Sequence, residues 1–169
     1  VAVTPDDGTV FISDDNADAV FVIRMGRDNK LCTSDDIRTS FSTRAFDDFD
    51  PEGVAFGQGM LFVTGGEAAE IYAIGPGNNG TFDGVPPGGD DVVVRQFDTA
   101  VLCIRDPEGI GYHPQRGSLF ITSRLERDSL FEVSSSGDLL NTFDISAADA
   151  TLPAGVGVGP ASGGPDAMS

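Results

Sequence analysis

The chain has 169 residues, 40% of them apolar, and a formal net charge of −17. That is one domain's worth of length with enough apolar content for a core, and no apolar run approaches the roughly 20 residues of a membrane span. A surface this negative repels phosphate backbones and anionic lipid, which argues against nucleic-acid and membrane partners.

Gly (22) and Pro (10) are dispersed between short apolar runs, the pattern of an all-β chain with many turns. Residues 1–13 read as a short strand, a turn at Gly8 and a second strand at 10–12. A third strand follows at 19–23 and a fourth at 37–41. The pattern restarts at Asp50-Pro51-Glu52-Gly53, with apolar runs at 61–63, 70–74 and 92–97. It restarts again at Asp106-Pro107-Glu108-Gly109, with runs at 119–121, 129–133 and 139–143. Phe41, Phe97 and Phe143 then share one place in the fourth strand, where they are expected to pack repeat against repeat. Helical periodicity is nearly absent; 147–150 is long enough for one turn. Near the end, 153–160 resembles a first strand again.

Self-similarity of this size predicts blades of a β-propeller. The expected fold is all-β: about three four-stranded blades plus one strand of a fourth. The repeats run approximately 1–49, 50–105 and 106–146, with a partial repeat at 153–169, all in one propeller segment over 1–169. Four blades is the usual minimum for a closed ring. The expected partners are therefore further blades, from the same longer protein or from another copy. Val1 is not an initiator Met and no signal peptide is visible, so a processed start or a piece of something longer is expected.

Propeller topology assigns the loops to two faces. Loops before the first strand and between the second and third share one face. That face collects Asp50, Glu52, Asp106 and Glu108, with Asp14, Asp15, Asn16 and Asp18 from the first repeat. Glu67 and the run Arg124, Glu126, Arg127, Asp128 join them. Converging carboxylates suit a hard divalent cation, which prefers oxygen ligands, and a bound cation orients an ester or phosphate and activates water. Turn chemistry explains most of the Asp-Pro-Glu-Gly motif: Asp caps, Pro fixes φ and Gly supplies positive φ. It does not explain Glu52 and Glu108, which become candidate catalytic or metal-holding residues. Arg124 is the candidate anchor for a small anionic substrate.

The opposite face carries two long loops, 26–36 and 75–91. Both run from Gly through Asp or Asn to a closing Asp-Asp pair. Asp28, Asp35 and Asp36 in the first, and Asn78, Asp83, Asp90 and Asp91 in the second, are candidate calcium ligands, as are Asp14 and Asp15 on the first face. Asx turns in solvated hairpins are the competing explanation. Lys30 is the only lysine, and such an acidic balance suits either divalent cations or a high-salt habitat. Cys32 lies in a loop of the second face. Cys103 follows a fourth strand that returns toward the first, and a strand spans about 17–20 Å. A disulfide needs Cα atoms within about 7 Å, so no Cys32–Cys103 bridge is expected. His113, the one histidine, reads as a turn residue.

The Asp-Pro-Glu-Gly start followed by apolar residues, and the strand Gly117-Ser-Leu-Phe-Ile-Thr-Ser123, resemble secreted bacterial β-propellers of the esterase-like phytase, SMP-30/gluconolactonase and NHL group. The loop ending Thr33-Ser-Asp-Asp36 is similar to calcium-binding repeats of acidic secreted proteins. The resemblance implies a secreted or periplasmic calcium-binding propeller and, as an enzyme, a metal-dependent hydrolase of phosphate esters, esters or lactones. In the SMP-30 group a blade-start Glu binds the metal, and Glu52 and Glu108 match that position. A reading from another class is a non-catalytic structural or interaction module that calcium stiffens.

Overall fold

The computed structural model describes residues 1–147. The partial repeat at 153–169 and most of the turn expected at 147–150 lie outside the described residues. Among the described residues, twelve strands form three four-stranded sheets, each a meander in chain order. The first holds β1 (Ala2–Val3), β2 (Val10–Asp14), β3 (Ala19–Arg24) and β4 (Ile37–Ser42). The second holds β5 (Pro51–Gly57), β6 (Met60–Gly65), β7 (Glu70–Gly75) and β8 (Val92–Asp98). The third holds β9 (Pro107–His113), β10 (Ser118–Ser123), β11 (Ser129–Ser134) and β12 (Leu139–Asp144). All strand pairs are antiparallel.

Alternation along each strand sends side chains to both faces of its sheet, and the faces stack in order. Phe11, Val20, Val22 and Phe41 of the first sheet pack on Val54, Leu61, Val63, Tyr72 and Ile74 of the second. From its other face the second sheet presents Phe62, Ile71 and Ala73, with Phe97, to Ile110, Leu119, Ile121, Phe131 and Val133 of the third. Leu61 and Phe62, neighbours in sequence, thus enter different interfaces and are both fully buried. Burying a side chain of that size contributes about 1.5–3 kcal/mol. The hairpin glycines complete the stacking. A Cβ on Gly84 would stand 2.7 Å from Phe41 Cβ, and one on Gly137 would stand 2.8 Å from Phe97 Cγ. Both glycines hold positive φ and press on the fourth-strand Phe of the preceding sheet.

Strands β1, β5 and β9 lie innermost, with β5 packed along β9 and β1 against β5. Two 3-10 turns, Thr43–Phe46 and Ala100–Leu102, carry the chain from one sheet to the next. The apolar pattern does not announce them. Each depends on a buried threonine hydroxyl: Thr43 Oγ1 donates to the Asp48 carbonyl at 2.9 Å, and Thr99 Oγ1 donates to the Ala69 carbonyl at 2.8 Å. Each ends in a left-handed residue, Asp47 or Cys103.

Candidate metal centre

The Asp-Pro-Glu-Gly motif is a strand start rather than a turn. Pro51 and Pro107 open β5 and β9, and neither Gly53 nor Gly109 has positive φ. The glycine is needed for another reason. A Cβ on Gly53 would sit 2.4 Å from the backbone carbonyl oxygen of Glu108, so the two inner strands approach too closely for any side chain there. Thr64 fastens the junction: the Gly53 N–H donates to its Oγ1 at 2.7 Å. Ser13 Oγ of the first sheet donates to the Glu52 carbonyl at 2.7 Å. The backbone at Glu52 is therefore tied to the first sheet through Ser13 and, one residue on, to Thr64 of its own sheet, whose Oγ1 also donates to the Glu108 carbonyl of the third sheet at 3.4 Å.

This pinning assembles an acidic group at the inner mouth of the first face. Carboxylate oxygens of Asp15, Asp50 and Glu52 all lie within 4.8 Å of one another. Ligands held about 2.3–2.6 Å from one calcium ion are separated by no more than about 5 Å, so the three can share an ion. Burial, followed by the charges of Glu108, Asp50, Asp15 and Asp106, pushes the Glu52 carboxyl up to about 8. Glu108 is buried. Burial raises Asp106 as well, against the opposing pull of Arg124. Gly66 leaves room for the group: a Cβ there would meet Asp50 Oδ2 at 2.8 Å and Glu52 Cγ at 3.0 Å. Asp50 Oδ2 also accepts the Glu67 N–H at 3.0 Å.

Asp48 lies behind this group. It is fully buried, and its Oδ1 accepts the Asp50 N–H at 3.2 Å. Its Oδ2 has no hydrogen-bond partner. Burial, with the charges of Asp50 and Asp18, raises it to about 7. A cavity of about 230 Å³ opens beside it, lined by Asp47, Asp48, Phe49, Asp50, Glu67 and Ala68. Sequence reasoning placed Asp50 on this face without making it a ligand, and it missed Asp48. The acidic run from Asp47 to Asp50 was the available signal.

On the second face the two long loops diverge. In 76–91, Asp83, Asp90 and Asp91 bring carboxylate oxygens within 4.8 Å of one another. Asp91 is buried and accepts N–H groups from Gly84 at 2.7 Å, Asp83 at 3.0 Å and Gly77 at 3.3 Å. Asn79, rather than Asn78, joins the network, donating from Nδ2 to Asp83 at 2.8 Å. In 26–36, Asp28, Asp35 and Asp36 serve their own loop as acceptors. Asp35 takes the Arg27 N–H at 2.7 Å, Asp36 the Thr33 N–H at 3.1 Å and Asp28 the Lys30 N–H at 3.0 Å. Among the described residues these three do not form a shared ligand group. Asp14 likewise closes its own turn, accepting the Ala17 N–H at 3.0 Å, while Asp15 enters the mouth. One device is common to both long loops: Gly26 and Gly77 let the carboxylates of Asp35 and Asp90 fold against the backbone where a Cβ would collide.

Arg124 is exposed beside the mouth, its N–H donating to the Asp106 carbonyl at 2.9 Å. Cys32 and Cys103 are free and exposed. His113 ends β9 and meets the Phe120 ring at 5.9 Å, away from the acidic mouth by topology.

No protein-family model matches the chain. No curated protein matches it either. Solved structures do. Virginiamycin B lyase from Staphylococcus aureus superposes with a TM-score of 0.50 at 15% identity, over 83% of this chain and 42% of the lyase. A streptogramin B lyase gives 0.44 at 14% identity, over 85% of this chain and 42% of that one. A catalytically inactive variant of the Staphylococcus aureus lyase with quinupristin gives 0.47 at 14%, over 83% and 53%. The chain thus spans about half or less of these proteins' lengths. Three sequential four-stranded antiparallel sheets with their first strands innermost, together with the first of these likenesses, make the fold a β-propeller.

Proposed function

We propose that this chain is the cation-binding portion of a secreted or periplasmic calcium-binding β-propeller, and that its inner mouth is a metal-dependent centre acting on esters, lactones or phosphate esters. The observation that carries this reading is the Asp15, Asp50, Glu52 group, three carboxylates within reach of one ion. Like charges crowded in a half-buried position are costly unless a proton or a cation neutralises them. All-oxygen donors favour a hard ion such as calcium. When bound, the ion supplies Lewis-acid polarisation of a carbonyl or phosphoryl oxygen and lowers the pKa of bound water. Glu52 and Asp50 would hold the ion, Glu108 would sustain the negative potential behind it, and Arg124 would receive an anionic substrate at the rim.

The neighbour's name, a lyase for virginiamycin B, supports an enzyme over a passive scaffold. A lyase eliminates where a hydrolase adds water, so the assay must read both products. The group at Asp83, Asp90 and Asp91 supports a second, structural role for calcium in stiffening 76–91. The test is calorimetric titration with calcium, followed by turnover of aryl esters, lactones and aryl phosphates. Saturable binding with turnover that chelation abolishes is the expected result, and Glu52→Gln is expected to abolish turnover and to weaken calcium binding at the mouth. Absence of binding up to millimolar calcium would overturn the proposal.

A further inference from the structure

The cavity behind the metal group lies between the turn that leaves the first sheet and the β6–β7 loop. Its volume is about 230 Å³, and its walls are Asp47, Asp48, Phe49, Asp50, Glu67 and Ala68. That is several times the roughly 30 Å³ that one water takes in the liquid. Asp48 is fully buried, and its Oδ2 has no hydrogen-bond partner among the described residues. A buried carboxylate oxygen without a donor is costly, and the cavity is the route by which a donor reaches it. The chain supplies none of its own. Among the described residues no Lys, Arg or His lines the cavity, and the exposed carboxylates of Asp47 and Glu67 have no hydrogen-bond or ion-pair partner.

These carboxylates are set too far apart for a bare metal ion. Among the described residues, no three of Asp47, Asp48, Asp50 and Glu67 bring oxygens within 4.8 Å of one another, whereas Asp15, Asp50 and Glu52 do. An ion such as calcium needs several oxygens at about 2.3–2.6 Å. A guanidinium or an ammonium instead points several N–H donors in different directions, which suits carboxylates arranged around a space. The exposed ring of Phe49 adds an aromatic surface. Arg44 demonstrates the match within the chain: its guanidinium carbon stands 5.2 Å from the Phe49 ring centroid, while its Nε donates to Asp18 Oδ2 at 2.7 Å. This ring therefore already packs against a cation of that class.

We propose that this cavity binds the head group of a small organic cation, an alkylguanidinium or alkylammonium. Asp48 accepts an N–H at the floor, Asp47 and Glu67 balance the charge at the rim, and Phe49 flanks the alkyl part. The site is distinct from the Asp15, Asp50, Glu52 group and shares only Asp50 with it. It stands whether or not the mouth holds calcium.

The test is titration of the full 169-residue chain with ethylguanidinium, read by calorimetry and by amide NMR shifts. Salt at about 0.15 M screens diffuse attraction to the acidic surface. One saturable site is expected, with shifts concentrated at 47–50 and 66–68, and butylammonium should compete for it. Tetramethylammonium carries the charge without an N–H and should bind at least about tenfold more weakly. Asp48→Asn should lose about tenfold in ethylguanidinium affinity. Glu67→Gln, at an exposed position that folding does not depend on, should also weaken it. N-acetylarginine amide separates two sources of the same head group: binding comparable to ethylguanidinium supports an arginine carried on a peptide, and weaker binding supports a free small cation. Shifts spread over the acidic surface, equal binding of tetramethylammonium, or unchanged affinity in both variants would overturn the proposal. So would competition by calcium that persists in Glu52→Gln, because it would place a metal in the cavity itself.

Discussion

Glu52 sits where two requirements meet, a strand position fixed by its neighbours and a charge that those neighbours resist. With its carboxyl raised to about 8, and Asp48 raised to about 7, the folded protein binds protons that the unfolded chain, with values of 4.5 and 3.8, would release. By linkage, this contribution to stability is complete below those unfolded values and is lost as pH rises toward 8. Thermal melts of the calcium-free protein should therefore show a higher Tm at pH 5 than at pH 8, and calcium should raise Tm more at pH 8. Glu52→Gln should flatten that pH dependence and weaken calcium binding by tenfold or more on the same titration. Gly53 makes a separate demand on the site. Gly53→Ala forces a Cβ against a neighbouring carbonyl, and overpacking of this kind costs about 1–3 kcal/mol. A lower urea midpoint with an unchanged slope is the expected reading.

At the level of elements, the apolar runs marked nearly every strand because alternating burial leaves its period in the sequence. They marked neither 3-10 turn, since each depends on one buried threonine hydroxyl rather than on a pattern. Asp-Pro-Glu-Gly was legible as a recurring unit and misread as a turn. The same residues that favour turns also fit a strand start where two backbones touch, and only the position of Glu108 in space reveals the contact. The long loops show the same limit. Their Gly and Asp-Asp ends look alike, yet 76–91 gathers three carboxylates while 26–36 spends its acids on its own N–H groups. Asp91→Asn removes one acceptor oxygen from a buried set of three N–H contacts, a loss of about 1–3 kcal/mol. Faster hydrogen exchange at Gly77, Asp83 and Gly84 should follow. Unchanged protection would show that another group holds the loop.

Across the whole molecule, the repeat was the strongest signal in the sequence, because three copies of one blade pattern constrain each other. It conveyed the architecture and the face on which Asp15, Asp50 and Glu52 meet. It could not convey which of the many acids converge, since 27 Asp and Glu residues offer far more candidates than one ion needs. Convergence depends on backbone approach at Gly53 and Gly66, which no spacing records. The central claim is that Glu52 exchanges a proton for a cation at the inner mouth. The most direct measurement is calcium titration calorimetry at pH 7 in two buffers of different ionisation enthalpy, on the wild type and Glu52→Gln. Release of about one proton per bound ion is expected from the wild type, and the variant should lose that release together with its affinity. Binding with no proton release, or with a release that the variant retains, would contradict a role for Glu52 as the ligand.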